Sequence, residues 1–548
     1  MAIRSRLKAF ASVIGLLPVL GLSAGHHGLE ARAAVPAHGD AAACTAMLGR
    51  TIAPHTVITG AAFEAQGRRI GTTQVDVPFC RIVGVATPTE DSHIGFEVWL
   101  PPAAQWNGRF QAEGSGGSAG AISPGPMLAA LKRGFATMST DNGHLNDPND
   151  PSSGYSQLWA YRHPEKMIDW AWRALHLSTV AAKLVVKDFY GKAPAKNYFV
   201  GCSAGGHHAL AEATRFPADY DGIIAGAAPW AWTSLMIGHT WNSTPSLKDP
   251  AAITADSARI LNTAMVATCD RLDGVEDGLI ADPRRCTADP AQFQCGTARG
   301  SECLTPAQVA AARHIYAGPV QSDGTRLLPG QVRGTEPGWV AQMTGPHPGG
   351  SSWDFWRLTV FQDESFSNAR FDFDKDPQRA MATKVSGFLL PQVYDSTPDL
   401  RAFQARGGKL LMFHGWSDHM ISALVGIDFH DRIVARQGWP DSFLRLFLLP
   451  GMAHCSGGPG FSHIGGATGA PLKADADHDI ALALEKWVET KTAPTRFIAA
   501  RMGPDGKPAA TRPVCLYPQA ARYRGTGDVR DAASFVCADP EPLPPAPR

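Results

Sequence analysis

Apolar positions along the chain change period several times, and each change marks an element. GFEVWLP (95–101) and GRFQAEG (108–114) read as strands. The glycine-rich loop GSGGSAG (114–120) follows, and MLAALKRGFATMSTD (127–141) reads as a helix running into a strand. In PEKMIDWAWRALHLSTVAAKLVVKDFYG (164–191) apolar residues recur at helical spacing, and this is the longest helix the pattern predicts. KNYFVG (196–201) is a short strand of the buried type. A helix starts in GGHHALAEATRFPADY (205–220), and DGIIAGAAP (221–229) is strand again. Strands alternating with helices predict an α/β protein built on a parallel sheet.

From about 230 to 390 the texture changes. Six tryptophans (230, 232, 241, 339, 353, 356), four cysteines and many Pro and Gly replace the clear strands. This stretch is expected to be an inserted lid domain. The α/β pattern then returns. GKLLMFHGWSD (408–418) and FLRLFLLPGMAHCS (443–456) each read as strand then loop, and ISALVGIDFHDRIVARQG (421–438) and DIALALEKWVE (479–489) as helices. There is no internal repeat. The expected layout is a targeting segment 1–33, a first core part 34–229, the lid 230–390 and a second core part 391–548.

Charge adds an exclusion. The 548 residues are 18% charged, with 50 Lys+Arg against 50 Asp+Glu, so nothing points to nucleic acid or an anionic membrane as partner. Arg4, Arg6 and Lys8 precede the apolar run AFASVIGLLPVLGLSA (9–24), and ARA (31–33) offers small residues for cleavage before Ala34. Cleavage takes four basic residues and one acidic residue from the balance, leaving a net charge of −3. The mature protein is expected to be secreted or periplasmic, with no membrane attachment. Export permits disulfides, and the ten cysteines contain no CxxC pair, so five bridges are expected. Their connectivity does not follow from spacing alone.

Gly201-x-Ser203-x-Gly205 lies after a predicted strand and before a predicted helix. A nucleophile elbow needs that context, because the serine takes a strained turn and its flanking glycines let backbones pass. A serine hydroxyl needs a base, and the base an orienting acid. In α/β-hydrolases these follow in the order Ser, acid, His. Asp418 lies in the loop after strand 408–413 and His454 in the loop after strand 443–449. His414 and His419 compete near the acid, and Asp428 competes from inside a helical pattern.

Cys202 precedes Ser203, and Cys455 follows His454. If serine and histidine meet, their neighbours come within disulfide reach, which requires Cα atoms about 4.4–6.8 Å apart. Such a bridge closes a 253-residue loop, for which the chain-entropy model gives roughly 5 kcal/mol.

The blocks GCSAGG, HGWSD and HCSGG, with that doubled cysteine, resemble the three triad blocks of the tannase and feruloyl esterase family. The resemblance spans nearly the whole mature chain. It implies an α/β-hydrolase core, a large lid, and hydrolysis of small esters of aromatic acids of feruloyl or chlorogenic, galloyl or terephthalate type. An oxyanion hole needs two backbone N–H groups, expected from Ala204 and from Gly116 or Gly117 of the early glycine-rich loop.

CDRLDGVEDGLIADPRRC (269–286) packs Asp270, Asp273, Glu276 and Asp277 between two cysteines able to close a compact loop. Carboxylates at this spacing suit a hard cation with oxygen ligands, although the spacing is not that of an EF-hand. The resemblance implies a structural Ca2+ held by the side chains of Asp270, Asp273 and Asp277 and the carbonyls of Val275 and Leu279. It also implies the pairs Cys44–Cys80, Cys295–Cys303 and Cys515–Cys537. In WDFWRLTVF (353–361), Arg357 is a candidate to meet a substrate carboxylate or phenol. Two rivals are a catalytically silent, calcium-stabilised binding protein and a metallohydrolase, and no HExxH supports the latter. The sequence leaves the oligomeric state open.

Overall fold

Ten strands form one sheet: β1 (Thr51–Ala53), β2 (Thr56–Glu64), β3 (Phe79–Ala86), β4 (Ile94–Leu100), β5 (Arg109–Glu113), β6 (Ala136–Thr140), β7 (Lys196–Cys202), β8 (Gly222–Gly226), β9 (Lys409–Gly415) and β10 (Leu444–Leu449). They are seen in a computed structural model that describes residues 39–64, 68–147, 149–296, 302–439, 442–469 and 471–544. The expected targeting segment 1–33 lies outside the described residues. The described residues all fall in one compact unit, the 230–390 segment included.

Across the sheet the order is β1-β2-β3-β4-β6-β5-β7-β8-β9-β10. The parallel sheet predicted from the alternation of elements is only part of it. From β6/β5 through β9/β10 every pair is parallel, but β1 to β4 and the β4/β6 pair are antiparallel. Connection length explains the split. Only Pro54 and His55 separate β1 from β2, and 87–93 separate β3 from β4, too little chain for a parallel crossover. Three helices bridge the parallel neighbours: α1 (Pro124–Lys132) between β5 and β6, α2 (Ala174–Tyr190) before β7, and α3 (Ala204–Arg215) between β7 and β8.

Period-two alternation gives the sheet two apolar faces. In β9, Leu410 and Met412 join one buried cluster with Val185, Val186 and Phe189 of α2, while Leu411 and Phe413 join another. That second cluster holds Leu484 and Trp487 of the C-terminal helix Ile480–Thr490, and Phe497 and Val514 of a hairpin, Arg496–Met502 paired with Pro508–Cys515. The hairpin has no counterpart in the predicted elements.

The helix expected over 164–191 is interrupted. Pro164–Ile168 and α2 are α-helical, and Asp169–Arg173 between them forms a π-helical turn. Such turns mark functional regions often enough to note what this one carries. Trp170 stands in it, packed at 4.7 Å from Trp232 and 5.2 Å from His208, ring centre to ring centre.

β8 and β9 are hydrogen-bonded neighbours, yet the chain between them makes a long excursion that adds no strand to the main sheet. The insertion has its own apolar clusters. One combines Trp232 and Met236 of α4 (Trp232–Lys248) with Phe355, Trp356 and Tyr394, and reaches Ala204 at the start of α3. The other surrounds α5 (Ala255–Cys269) and the Cys269–Cys286 bridge.

Candidate active site

The loops that carry the predicted chemistry leave the C-terminal ends of β5, β7, β9 and β10, where parallel strands leave a crevice for chemistry. Ser203 follows β7 and caps α3 with φ +62° and ψ −123°, a conformation L-residues rarely adopt. The turn is tight enough to require the glycine before it: a Cβ on Gly201 would sit 2.4 Å from the Gly205 carbonyl oxygen.

Long-range packing then brings three residues together. His454 Nε2 lies 2.8 Å from Ser203 Oγ, and His454 Nδ1 lies 2.8 Å from Asp418 Oδ2. Asp418 is wholly buried. Its Oδ1 accepts from the backbone N–H groups of Met420 and Ile421, both at 2.9 Å, and its Oδ2 also faces His414 Nε2 at 3.3 Å. Burial works against the charge on Asp418, but adjacent His454 and the hydrogen bonds from His414 and His454 hold its carboxyl well below the usual range. For His454, burial disfavours the imidazolium and the Asp418 carboxylate favours it. The second effect prevails, and the imidazole titrates above its ordinary value.

The other candidates named near the acid have further partners of their own. His414 Nε2 donates to the Ile421 carbonyl at 2.8 Å, so it braces the loop. His419 turns to the insertion and packs on Gly338, where a Cβ would lie 2.0 Å from its Cγ. Asp428 pairs with Arg432 on the helix Ala423–Gln437.

Cys202 and Cys455 are bridged, with Cα atoms 5.9 Å apart. The structure also pairs Cys44–Cys80, Cys269–Cys286, Cys295–Cys303 and Cys515–Cys537.

Ala204 takes the first helical position of α3, so its N–H has no partner within the helix. Of the two loop glycines, Gly116 has room for a Cβ, whereas on Gly117 (φ +60°) a Cβ would lie 2.4 Å from the Gly154 carbonyl oxygen.

The insertion grips the acid loop in ways the sequence reading missed. His239 Nε2 donates to the Met420 carbonyl at 2.8 Å, and Gln331 Nε2 to the His419 carbonyl at 3.0 Å. Ser422 Oγ in turn donates to the Gly330 carbonyl at 3.0 Å. Burial pushes His239 down to about 4, so it is a neutral donor. His414 was open to notice beside the acid in HGWSD, whereas nothing local to His239 or Gln331 marks them.

Arg357 lies in the insertion with Nε 2.9 Å from Asp354 Oδ1. Asp354 Oδ2 accepts from Ser156 Oγ and the Gln157 N–H, so Arg357 is already paired with an anchored carboxylate.

The 269–286 loop keeps its carboxylates busy with loop donors. Asp270 accepts from the N–H groups of Asp277, Gly278 and Leu279, and Asp273 from that of Val275. Burial, then the charges of Asp277 and Asp270, push the Asp273 carboxyl up to about 6. The Arg512 guanidinium lies 2.6 Å from Asp277 Oδ2 and 3.9 Å from Asp273 Oδ2, and Arg501 Nη1 donates to the Asp277 carbonyl at 3.0 Å. Three carboxylates drawn together here form an all-oxygen donor set, which fits a hard cation. Leu279 packs on Gly451, in the loop that leads to His454.

Comparison with known proteins finds relatives along most of the chain. The profile of the family described as "Tannase and feruloyl esterase" matches residues 80–538. An uncharacterized esterase of Xanthomonas campestris pv. campestris is 37% identical over 537 residues, covering 91% of each chain. The mono(2-hydroxyethyl) terephthalate hydrolase of Piscinibacter sakaiensis is 35% identical over 519 residues, covering 82% of each. The crystal structure of feruloyl esterase B from Aspergillus oryzae superposes with a TM-score of 0.84 at 28% identity, over 91% of this chain and 100% of that one.

Proposed function

The chain belongs to the tannase and feruloyl esterase family and is a carboxylic ester hydrolase of the α/β-hydrolase fold; from that premise we propose that it hydrolyses small esters of aromatic acids through Ser203, His454 and Asp418. One observation carries the reading: an unbroken hydrogen-bonded chain runs from Ser203 Oγ through both ring nitrogens of His454 to a buried carboxylate.

His454 Nε2 takes the Ser203 proton as Oγ attacks the ester carbonyl. Asp418 holds the imidazole by Nδ1–H and stabilises its cationic form. The N–H of Ala204 and that of Gly116, or alternatively Gly117, receive the charge developing on the carbonyl oxygen. His454 returns the proton to the departing alcohol, and water enters by the same base to release the acid.

The insertion acts as a lid. Its aromatic cluster, Trp232, Phe355 and Tyr394 together with Trp170, is buried and reaches Ala204, so it backs the turn that carries Ser203. Arg357 is the candidate for a substrate carboxylate or phenol, in competition with Asp354. A structural Ca2+ in the 269–286 loop would be held by Asp270, Asp273, Asp277 and the carbonyls of Val275 and Leu279, and would steady the loop's packing on Gly451. Export to the periplasm or medium after loss of 1–33 agrees with the five disulfides.

Ser203→Ala is expected to remain folded and lose ester hydrolysis, and a folded variant with near wild-type turnover would sink the assignment. The acyl group is read from relative kcat/KM on methyl ferulate, methyl gallate, chlorogenic acid, mono(2-hydroxyethyl) terephthalate and p-nitrophenyl acetate. Preference for the acetate alone would remove the aromatic specificity and leave the triad standing.

A further inference from the structure

At the far end of α3 from Ser203, three side chains from three segments converge. His176 comes from α2, Glu212 from the last turn of α3, and Asp219 from the turn before β8. One ligand atom from each lies within 4.8 Å of the others, and among the described residues this is the one trio of His, Cys, Asp or Glu that does so. His176 Nδ1 stands 2.6 Å from Asp219 Oδ2.

Glu212 makes the cluster unusual. It is 1% exposed, no N–H or hydroxyl donates to either carboxylate oxygen, and burial together with the Asp219 carboxyl facing it pushes its own carboxyl up. A desolvated carboxylate without donors is costly and calls for a proton or a cation. The nearby cation is spent on its neighbour: Lys183 donates to the Asp219 carbonyl and lies 3.8 Å from Asp219 Oδ1. Phe216 stacks on the His176 ring at 3.7 Å and 8°, which fixes the ring's plane. The His176 side chain is 27% exposed, so a small ion has a way in.

We infer that His176, Glu212 and Asp219 form a binding site for a divalent cation of the zinc class. One imidazole nitrogen and two carboxylate oxygens suit a borderline ion that accepts mixed N/O ligation, with water in a fourth position. They do not suit calcium, which takes oxygen ligands. The ion replaces the proton between His176 Nδ1 and Asp219 and the one that Glu212 holds against Asp219. It ties α2 to the C-terminal end of the helix that Ser203 begins. This site is independent of the proposed triad.

The test is a zinc titration of the mature, disulfide-intact protein in excess Ca2+, so that the 269–286 loop does not compete. The wild type is expected to bind one Zn2+ at least about tenfold more tightly than His176→Ala or Glu212→Gln. Affinity should rise with pH, since ligation displaces protons, and Co2+ in place of Zn2+ should give visible d–d bands that both variants lose. Melting curves without zinc establish that the variants are folded, Glu212→Gln being close to isosteric. Asp418→Asn is the control for binding at the triad. Equal affinity in wild type and both variants, or loss of the site in Asp418→Asn alone, overturns the proposal and leaves Glu212 holding a proton.

Discussion

Asp418 and Glu212 are both buried carboxylates, and their surroundings are opposite. Asp418, linked through His454 to the start of α3, meets two backbone N–H groups and two imidazoles. Glu212, in the last turn of the same helix, meets no N–H or hydroxyl donor and faces the Asp219 carboxyl instead. A desolvated charge persists when donors surround it and invites neutralisation when they do not. One end of α3 is therefore organised to keep an anion that stabilises an imidazolium. The other is organised to acquire a cation.

The largest effect comes from removing that anion. Asp418→Asn should lower kcat about ten-thousand-fold while the fold persists. The pH profile gives the sign. His454 acts as a base only when neutral, and Asp418 raises its pKa, so wild-type kcat/KM should climb with pH through that raised value. In Asp418→Asn the residual activity should climb at lower pH, and an unmoved acid limb would remove Asp418 from its role.

Next in size is the staple beside the triad. Replacing Cys202 and Cys455 by Ala should cost about 2–4 kcal/mol in denaturant unfolding, with kcat falling more than KM rises. Unchanged kcat in a destabilised variant would make the bridge purely a matter of stability.

A smaller effect tests whether the insertion does more than cover the site. His239→Ala leaves the Met420 carbonyl without its donor and loosens the loop whose N–H groups hold Asp418. A kcat loss of about tenfold, equivalent to ~1.4 kcal/mol, is expected at nearly constant KM. A lower melting temperature with intact kcat would reduce the insertion to a cover.

The smallest expected effect is at the donor-poor end. Zinc should raise the melting temperature of the wild type by a few degrees and leave Glu212→Gln unmoved. An equal rise in both would erase the contrast between the two carboxylates.

Chain order and local pattern made much of this legible. The strand–turn–helix around Ser203, the post-strand loops of Asp418 and His454, and the cysteines beside two of them stand close to their elements in sequence. The antiparallel half of the sheet was less visible, because strand direction depends on connections and partners rather than on apolar period. The hairpin of 496–515 was missed for a related reason. RFIAARM alternates poorly and relies on alanines at 499 and 500, whose burial is decided by what packs on them.

By itself, then, the sequence determined what is encoded over a few residues: the elbow, the order of the candidate triad, the acidic loop and the supply of cysteines. The tertiary structure alone decided what depends on distance through space. It set His239 and Gln331 on the acid loop, paired Arg357 with Asp354, laid Leu279 on Gly451, and left Glu212 without an N–H or hydroxyl donor beside His176 and Asp219. Period and spacing report only the near neighbours of a residue, whereas a buried group's charge state follows from every atom that replaces its water.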